Sequence, residues 1–265
     1  MIKVLHMVST NFGDRIAPDI VRYLSGDDAS YSCATGRFLV TGSILVMAVT
    51  GDTVWGAGAM FDTQLWTIPP DIKVCAVRGP LTRKLLLTHG IACPGIYGDP
   101  GILVPSVYGV TATPTCALGI IPHYIDTRYI PALQSVYPEA KIIDITTPPL
   151  EFVKSVASCA SILSSSLHGL ITAESLGIPA AWIRLSDNVA GGDFKFDDYY
   201  LGSGRPVQAA CDWRTAFSTP KFVELPVCDY TEFINSCPFI TAEVQASLIN
   251  SVVPQGLKAL PVGHR

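Results

Sequence analysis

Ile162-Leu163-Ser164-Ser165-Ser166-Leu167-His168-Gly169-Leu170-Ile171-Thr172-Ala173-Glu174-Ser175-Leu176-Gly177-Ile178-Pro179-Ala180 is the stretch that decides the fold class. An apolar run ends at three serines, a histidine follows, and a helical pattern begins at once, closed by Gly177 with Pro179 beyond it. This reads as strand, turn and helix. In an α/β protein the turn at the carboxyl end of a parallel strand is where ligands sit. The helix N-terminus offers N–H groups to an anion, and histidine is the side chain whose ordinary pKa lies nearest neutrality. A lone histidine is more often a core residue, but the position of His168 argues for function. The serines say less, because Ser166 as a helix N-cap would account for one of them.

The same alternation runs outward in both directions. Upstream, Ile2–Val8 reads as a strand, Asp14 as the cap of a helix running to Leu24, and Ser25–Ser32 as a polar loop. Short strands are expected at Arg37–Val40, Thr53–Trp55 and Lys73–Val77, and a helix from Gly79-Pro80 to the stop at Gly90. Pro105–Pro114 lacks helical period and reads as a linker. Beyond it come strands at Cys116–Ile121, Lys141–Ile145, Ser161–Leu163 and Ala180–Leu185, with helices near Thr127–Val136 and Pro149–Ser158. Strands separated by single helices imply parallel sheets covered on both faces. The expectation is therefore an α/β chain of two domains, residues 1–112 and 113–265, with a cleft between them. After Asp212 no motif is interpretable, although a helix near Ala242–Ser251 is expected.

Composition fits a buried core: 49% of the 265 residues are hydrophobic and 15% charged. A net charge of -4 speaks against nucleic acid as a partner, and any cation that holds an anion must be local. The opening eight residues are too short and strand-like for a secretory signal, and no apolar run reaches the length of a membrane span. Eight scattered cysteines without a C-x-x-C pair read as buried free thiols of a reducing cytoplasm, neither a disulfide framework nor a metal site.

Several residues carry two readings. Arg78, at a strand end, is either a salt-bridge partner or a fork for carboxylate or phosphate. Asn11 and Asp14 lie at the first strand-to-helix turn, and Asp14 is either a cap or a sugar-hydroxyl ligand and base; Asp99 is equally ambiguous. The glycines between Gly36 and Gly58 lack the spacing of a dinucleotide or Walker loop and are read as tight turns or close approaches. Gly192 to Arg205 is either a solvated loop with a short helix or a site in which Lys195 and Arg205 supply positive charge and tyrosines such as Tyr199 stack on sugar rings.

Taken in order, Asn11-Phe12-Gly13-Asp14, Gly51-Asp52-Thr53-Val54-Trp55-Gly56-Ala57-Gly58, Ala76-Val77-Arg78-Gly79-Pro80, Tyr97-Gly98-Asp99-Pro100-Gly101, the Ser164–Leu170 turn and Phe194–Tyr200 resemble the polysaccharide pyruvyl transferase family. The branch that looks nearest is that of the xanthan ketal pyruvate transferase, and the resemblance covers roughly residues 1–205. It implies two Rossmann-like domains in a GT-B-like arrangement, the first on the acceptor side and the second on the donor side. It implies phosphoenolpyruvate as donor, a glycan diol as acceptor and a cyclic pyruvate ketal as product; that chemistry needs no redox cofactor, and nothing in the sequence demands a metal. It further suggests a lipid-linked acceptor and a place at the inner face of the cytoplasmic membrane. Carried over by position, His168 is the catalytic acid, Arg78 grips the donor, Leu167 touches it through its backbone, and Asp14 is an acidic site residue. Ser165, Ser166 and, more loosely, Lys195 join the donor side; Asn11, Asp99 and Tyr199 join the acceptor side. Many relatives have arginine where this chain has Ser166, and Lys195, Arg205 and Arg184 are the candidates to replace that cation. The rival readings are a GT-B-like glycosyltransferase using a sugar nucleotide and a non-catalytic glycan-binding relative.

Overall fold

The computed structural model describes residues 1–7, 9–62, 67–216 and 228–252. Two parallel five-stranded sheets organise it. The first contains β1 (Ile2–Leu5), β2 (Ala29–Tyr31), β3 (Phe38–Leu39), β4 (Thr53–Trp55) and β5 (Lys73–Ala76), in the order β2-β1-β3-β4-β5. The second contains β6 (Gly119–Ile121), β7 (Lys141–Ile142), β8 (Ile162–Ser164), β9 (Ala180–Arg184) and β10 (Cys211–Asp212), in the order β10-β9-β8-β6-β7. In each sheet the chain moves one way from its first strand and then returns to that strand's other side. The switch points therefore lie between β1 and β3 and between β6 and β8.

The helices are α1 (Phe12–Arg15), α2 (Ala17–Ser25), α3 (Pro80–Thr88), α4 (Val104–Tyr108), α5 (Ile130–Val136), α6 (Pro149–Ala157), α7 (Leu167–Ser175), α8 (Phe194–Gly202), α9 (Thr231–Asn235) and α10 (Ala242–Val252). Short 3-10 turns occupy Leu45–Met47, Pro100–Leu103 and Tyr124–Tyr129. The helix expected near Ala242–Ser251 is α10.

Several local expectations are corrected. The polar loop Ser25–Ser32 holds the edge strand β2, paired with β1 through Ile2 and Ala29; an edge strand needs backbone pairing and only one buried side chain. The helix expected from Asp14 is two helices, because Pro18 restarts the chain in the first turn of α2. Asn11, not Asp14, stands at the cap position of α1. The irregular segment Pro105–Pro114 begins inside α4, which carries Pro105 in its first turn and is stopped by Gly109 (φ 62°). The first strand ends at Leu5 instead of continuing, and Val8 lies outside the described residues. All eight cysteines are free thiols, but only Cys93, Cys159 and Cys237 are buried, and Cys33 is exposed.

One buried apolar cluster runs through both sheets, from Val4, Phe12 and Trp55 to Ile121, Phe152 and Phe196. Phe12 packs on Phe152 with ring centroids 4.3 Å apart. After β10 the chain returns to the first sheet: Phe233 of α9 stacks on Trp55 at 4.5 Å, and Phe239 meets Phe38 edge-on at 5.0 Å.

The tightest joint lies between α8 and the segment that opens α3. Arg78 is fully buried and its guanidinium meets Asp198 of α8, with Nε and Nη2 each 3.0 Å from Oδ2. The same carboxylate accepts from the Leu81 and Thr82 backbone N–H groups at 2.9 Å and from the Thr82 hydroxyl at 2.6 Å. Asp198 thus caps α3 from 116 residues away. Backbone contact makes this possible: a Cβ on Gly79 would lie 1.8 Å from the Asp198 carbonyl oxygen, and one on Gly202 would lie 2.2 Å from that of Arg78. Removing one partner of such a pair leaves a buried charge without its counter-ion. Asp198→Ala is expected to lose about 3–5 kcal/mol of stability. A double variant, Arg78→Met with Asp198→Leu, should recover part of this but not all, because α3 still lacks its cap; urea unfolding midpoints read both.

Candidate active site

A cavity of about 130 Å³ lies beyond the carboxyl ends of both sheets. From the first sheet it is lined by Asn11 and Asp14, which follow β1, and by Gly42 and Ser43, which follow β3. From the second it is lined by His123 and Tyr124 after β6, and by Ser166, Leu167 and His168 after β8. Both switch points therefore feed one cavity, where the loops diverge and leave room for a ligand. Lys195 of α8 completes the wall.

The turn after β8 is built by hydroxyls. Ser164 Oγ accepts from the Ser166 N–H at 3.0 Å and donates to carbonyl oxygens of Ser166 and Ile121. Ser165 Oγ accepts from the His123 N–H at 2.8 Å and reaches Asp126 at 3.3 Å, so it ties the two turns together and faces a neighbouring cavity. Ser166 occupies the cap position of α7, but its side chain makes no capping bond, so the capping role weighed for it is not taken up. Its side chain lines the main cavity at the N-terminus of a nine-residue helix.

His168 stands in the first turn of α7 with its ring laid over Gly13; a Cβ on Gly13 would lie 2.1 Å from Nδ1. Nε2 lies 3.8 Å from Oδ1 of Asp99. Burial lowers the imidazole's pKa, Asp99 and Asp14 act to raise it, and Arg78 and Lys195 lower it further. Asp14 Oδ2 accepts from Ser9 Oγ at 2.6 Å and from Asn11 Nδ2 at 3.2 Å, while Asn11 Oδ1 is buried without a hydrogen-bond partner.

Of the three cations expected to replace the arginine absent at Ser166, Lys195 lines this cavity. Its Nζ donates to the Ala190 carbonyl at 3.0 Å, and burial next to Arg78 brings its pKa down to about 8. Arg205 forks onto Glu174 at 2.8–2.9 Å in the core, under Tyr199 and Tyr200. Arg184 pairs with Asp193 beside the neighbouring cavity.

The structure does not bring every sequence-derived candidate to the cavity. Arg78 lies behind it, bound to Asp198, to Ser43 Oγ at 2.7 Å and to the Ala59 carbonyl at 2.7 Å. Asp99 lies behind His168, its Oδ1 accepting from the Gly101 N–H at 2.9 Å. Tyr199 is in the core, its hydroxyl on Glu174 at 2.6 Å. The segment around Lys195 is a helix buried at Phe196, Asp198, Tyr199 and Tyr200, which is why it shows no amphipathic face.

His123 was not singled out by the sequence reading. Burial, with Lys195 near, lowers its pKa to about 4. Its Nδ1 accepts from the Ile125 N–H at 3.4 Å. The signal for it was present: Pro122-His123 follows the apolar strand β6 as Ser166-Leu167-His168 follows β8.

The polysaccharide pyruvyl transferase family profile matches residues 54–187, half of the chain. The chain belongs to the polysaccharide pyruvyl transferase family. The matched span runs from β4 to just beyond β9 and includes Arg78, Asp99, His123 and His168; Asn11, Asp14 and Lys195 fall outside it. An uncharacterised protein of Acanthamoeba polyphaga mimivirus is 32% identical over 203 residues, covering 71% of this chain and 69% of that protein. Membership places the chain among transferases with a pyruvyl-transfer role in polysaccharide synthesis. Among the described residues no helix is long and apolar enough to cross a membrane.

The contact between Gly13 and His168 supplies a test of the site. Gly13→Ala should push the imidazole aside and lower pyruvyl-transfer turnover about 100-fold, at a cost of about 1–3 kcal/mol in stability from the overpacked contact; normal turnover would place the reacting group elsewhere.

Proposed function

We propose that this transferase moves the enolpyruvyl group of phosphoenolpyruvate onto two hydroxyls of a sugar, forming a cyclic ketal and releasing phosphate, as in the xanthan-type branch of the family. The observation that carries the reading is the convergence of Lys195, the N-terminus of α7 and His168 on one small cavity. Phosphoenolpyruvate bears a carboxylate and a phosphate, and this cavity offers each a grip: an ammonium group and a helix N-terminus. Arg78 contributes at one remove. Its N–H donates to Ser43 Oγ, which leaves the Ser43 hydroxyl proton for a ligand oxygen in the cavity.

Donor chemistry then follows from His168. Protonating C3 of the enol turns C2 into an oxocarbenium-like centre. One acceptor hydroxyl adds to C2, the C2–O bond to phosphate breaks, and a second hydroxyl closes the ring. Asp14 and Asn11 reach the cavity from the first sheet, where the carboxylate orients or deprotonates an acceptor hydroxyl and Asn11 Oδ1 accepts from another. His123, neutral with Nδ1 engaged, presents Nε2–H as an uncharged donor. The first sheet's half, residues 1–112, serves as the acceptor side and residues 113–265 as the donor side of a GT-B-like cleft. A lipid-linked glycan at the inner membrane face fits this reading as acceptor.

His168→Ala is expected to lose at least about 100-fold in turnover while keeping its fold. Donor binding has a separate signature. It needs charged Lys195, so calorimetric affinity for phosphoenolpyruvate should weaken as pH rises through about 8. Lys195→Met should abolish that pH dependence and weaken binding by about 10- to 100-fold. Thermal stabilisation by nucleotide sugars but not by phosphoenolpyruvate would instead favour a glycosyltransferase.

A further inference from the structure

Two buried polar atoms without a hydrogen-bond partner belong to side chains that face each other: Nε2 of His168 and Oδ2 of Asp99. Nε2 stands 3.8 Å from the other oxygen of that carboxylate, too far for a hydrogen bond and close enough to feel its charge. Asp99 is held in place, since its Oδ1 accepts from the Gly101 N–H and Pro100 stiffens the turn. Nδ1 has the opposite surroundings. Among the described residues it has no hydrogen-bond partner; it is not sealed from solvent, and it lies over Gly13, between the lining residues Asn11 and Asp14.

We propose that Asp99 is a positioning residue that holds the Nε2–H form of His168, so that Nδ1 is the atom that exchanges a proton with the bound substrate. A neutral imidazole has one N–H and one lone pair, whereas a carboxylate only accepts. With the proton on Nε2, a shift of under about 1 Å makes an N–H···O bond, of the kind that tightens when a catalytic site is loaded. With the proton on Nδ1, two acceptors would face each other in a dry interior. The charged groups around the ring are Asp99 ahead of the Pro100–Leu103 turn, Asp14 on α1, Arg78 after β5 and Lys195 on α8; the Tyr230 hydroxyl lies in the field of Asp99. Asp99 is the one that meets Nε2.

The assignment rests on the pyruvyl-transfer reading only for the substrate's identity, and it balances the protons of that reaction. Imidazolium Nδ1–H gives its proton to C3, and Nε2–H stays on Asp99. Of the two hydroxyl protons released, one returns to Nδ1 and the other leaves with phosphate.

Nitrogen-15 NMR of histidine-labelled protein without substrate tests the assignment, with His168→Gln identifying the signal among five histidines. The neutral His168 ring should be the Nε2–H tautomer. Asp99→Asn keeps the Gly101 contact through its amide oxygen, removes the negative charge that faces Nε2, and puts an amide N–H donor in place of Oδ2, the oxygen left without a partner. It should therefore switch the ring to Nδ1–H, lower its pKa and reduce turnover at least about 100-fold, with donor affinity nearly unchanged. An Nδ1–H tautomer in the wild type, or the same tautomer in both proteins, would overturn the proposal. The wild-type spectrum alone decides the matter if Asp99→Asn does not fold, and it does so whatever the donor proves to be.

Discussion

The buried contact between Arg78 and Asp198 is the constraint on which the rest depends. It joins the loop after β5 to α8, caps α3 and presses two backbones together at Gly79 and Gly202. A buried ion pair is poor evidence of net stability, since desolving both charges offsets most of their attraction. Its effect here is placement. Lys195 lies one helical turn before Asp198 on α8, so the joint that fixes Asp198 also sets Lys195 in the cavity wall. Arg78 acts electrically as well, lowering the pKa of both Lys195 and His168 without lining the cavity.

Around that joint the two sheets present their switch points to one another. Hydroxyls do much of the local construction: Ser164 and Ser165 are occupied in shaping the turns after β6 and β8, and Ser166 is left for the cavity. The imidazole of His168 is covered by Gly13 from the first half and backed by Asp99. An incoming anion would favour its protonated form and so counter the lowering that burial imposes.

The strand-turn-helix at Ile162–Ala180 was legible because its signals are local: an apolar run, a polar turn and a glycine stop. The alternation that implies parallel sheets was legible for the same reason, and β4, α6 and α10 lie where the pattern puts them. Edge strand β2 was not, because pairing at an edge leaves no apolar alternation. Helix α4 was not, because five residues carry no period. The role of Arg78 was half legible: a salt bridge was among the readings, but the carboxylate that makes it is 120 residues distant, and no local pattern announces such a partner. The same holds for the choice among Lys195, Arg184 and Arg205, which turns on where Asp193 and Glu174 fall in space. His123 was within reach of the argument that found His168, since both follow apolar strands.

Release of inorganic phosphate tests the central claim most directly. Purified protein is mixed with phosphoenolpyruvate, alone and with sugar diols, and phosphate is followed in time. The account predicts release that requires an acceptor, matches ketal formed mole for mole, and disappears when His168 is replaced. Phosphate release that ignores the acceptor, or turnover that survives the loss of His168, would contradict it.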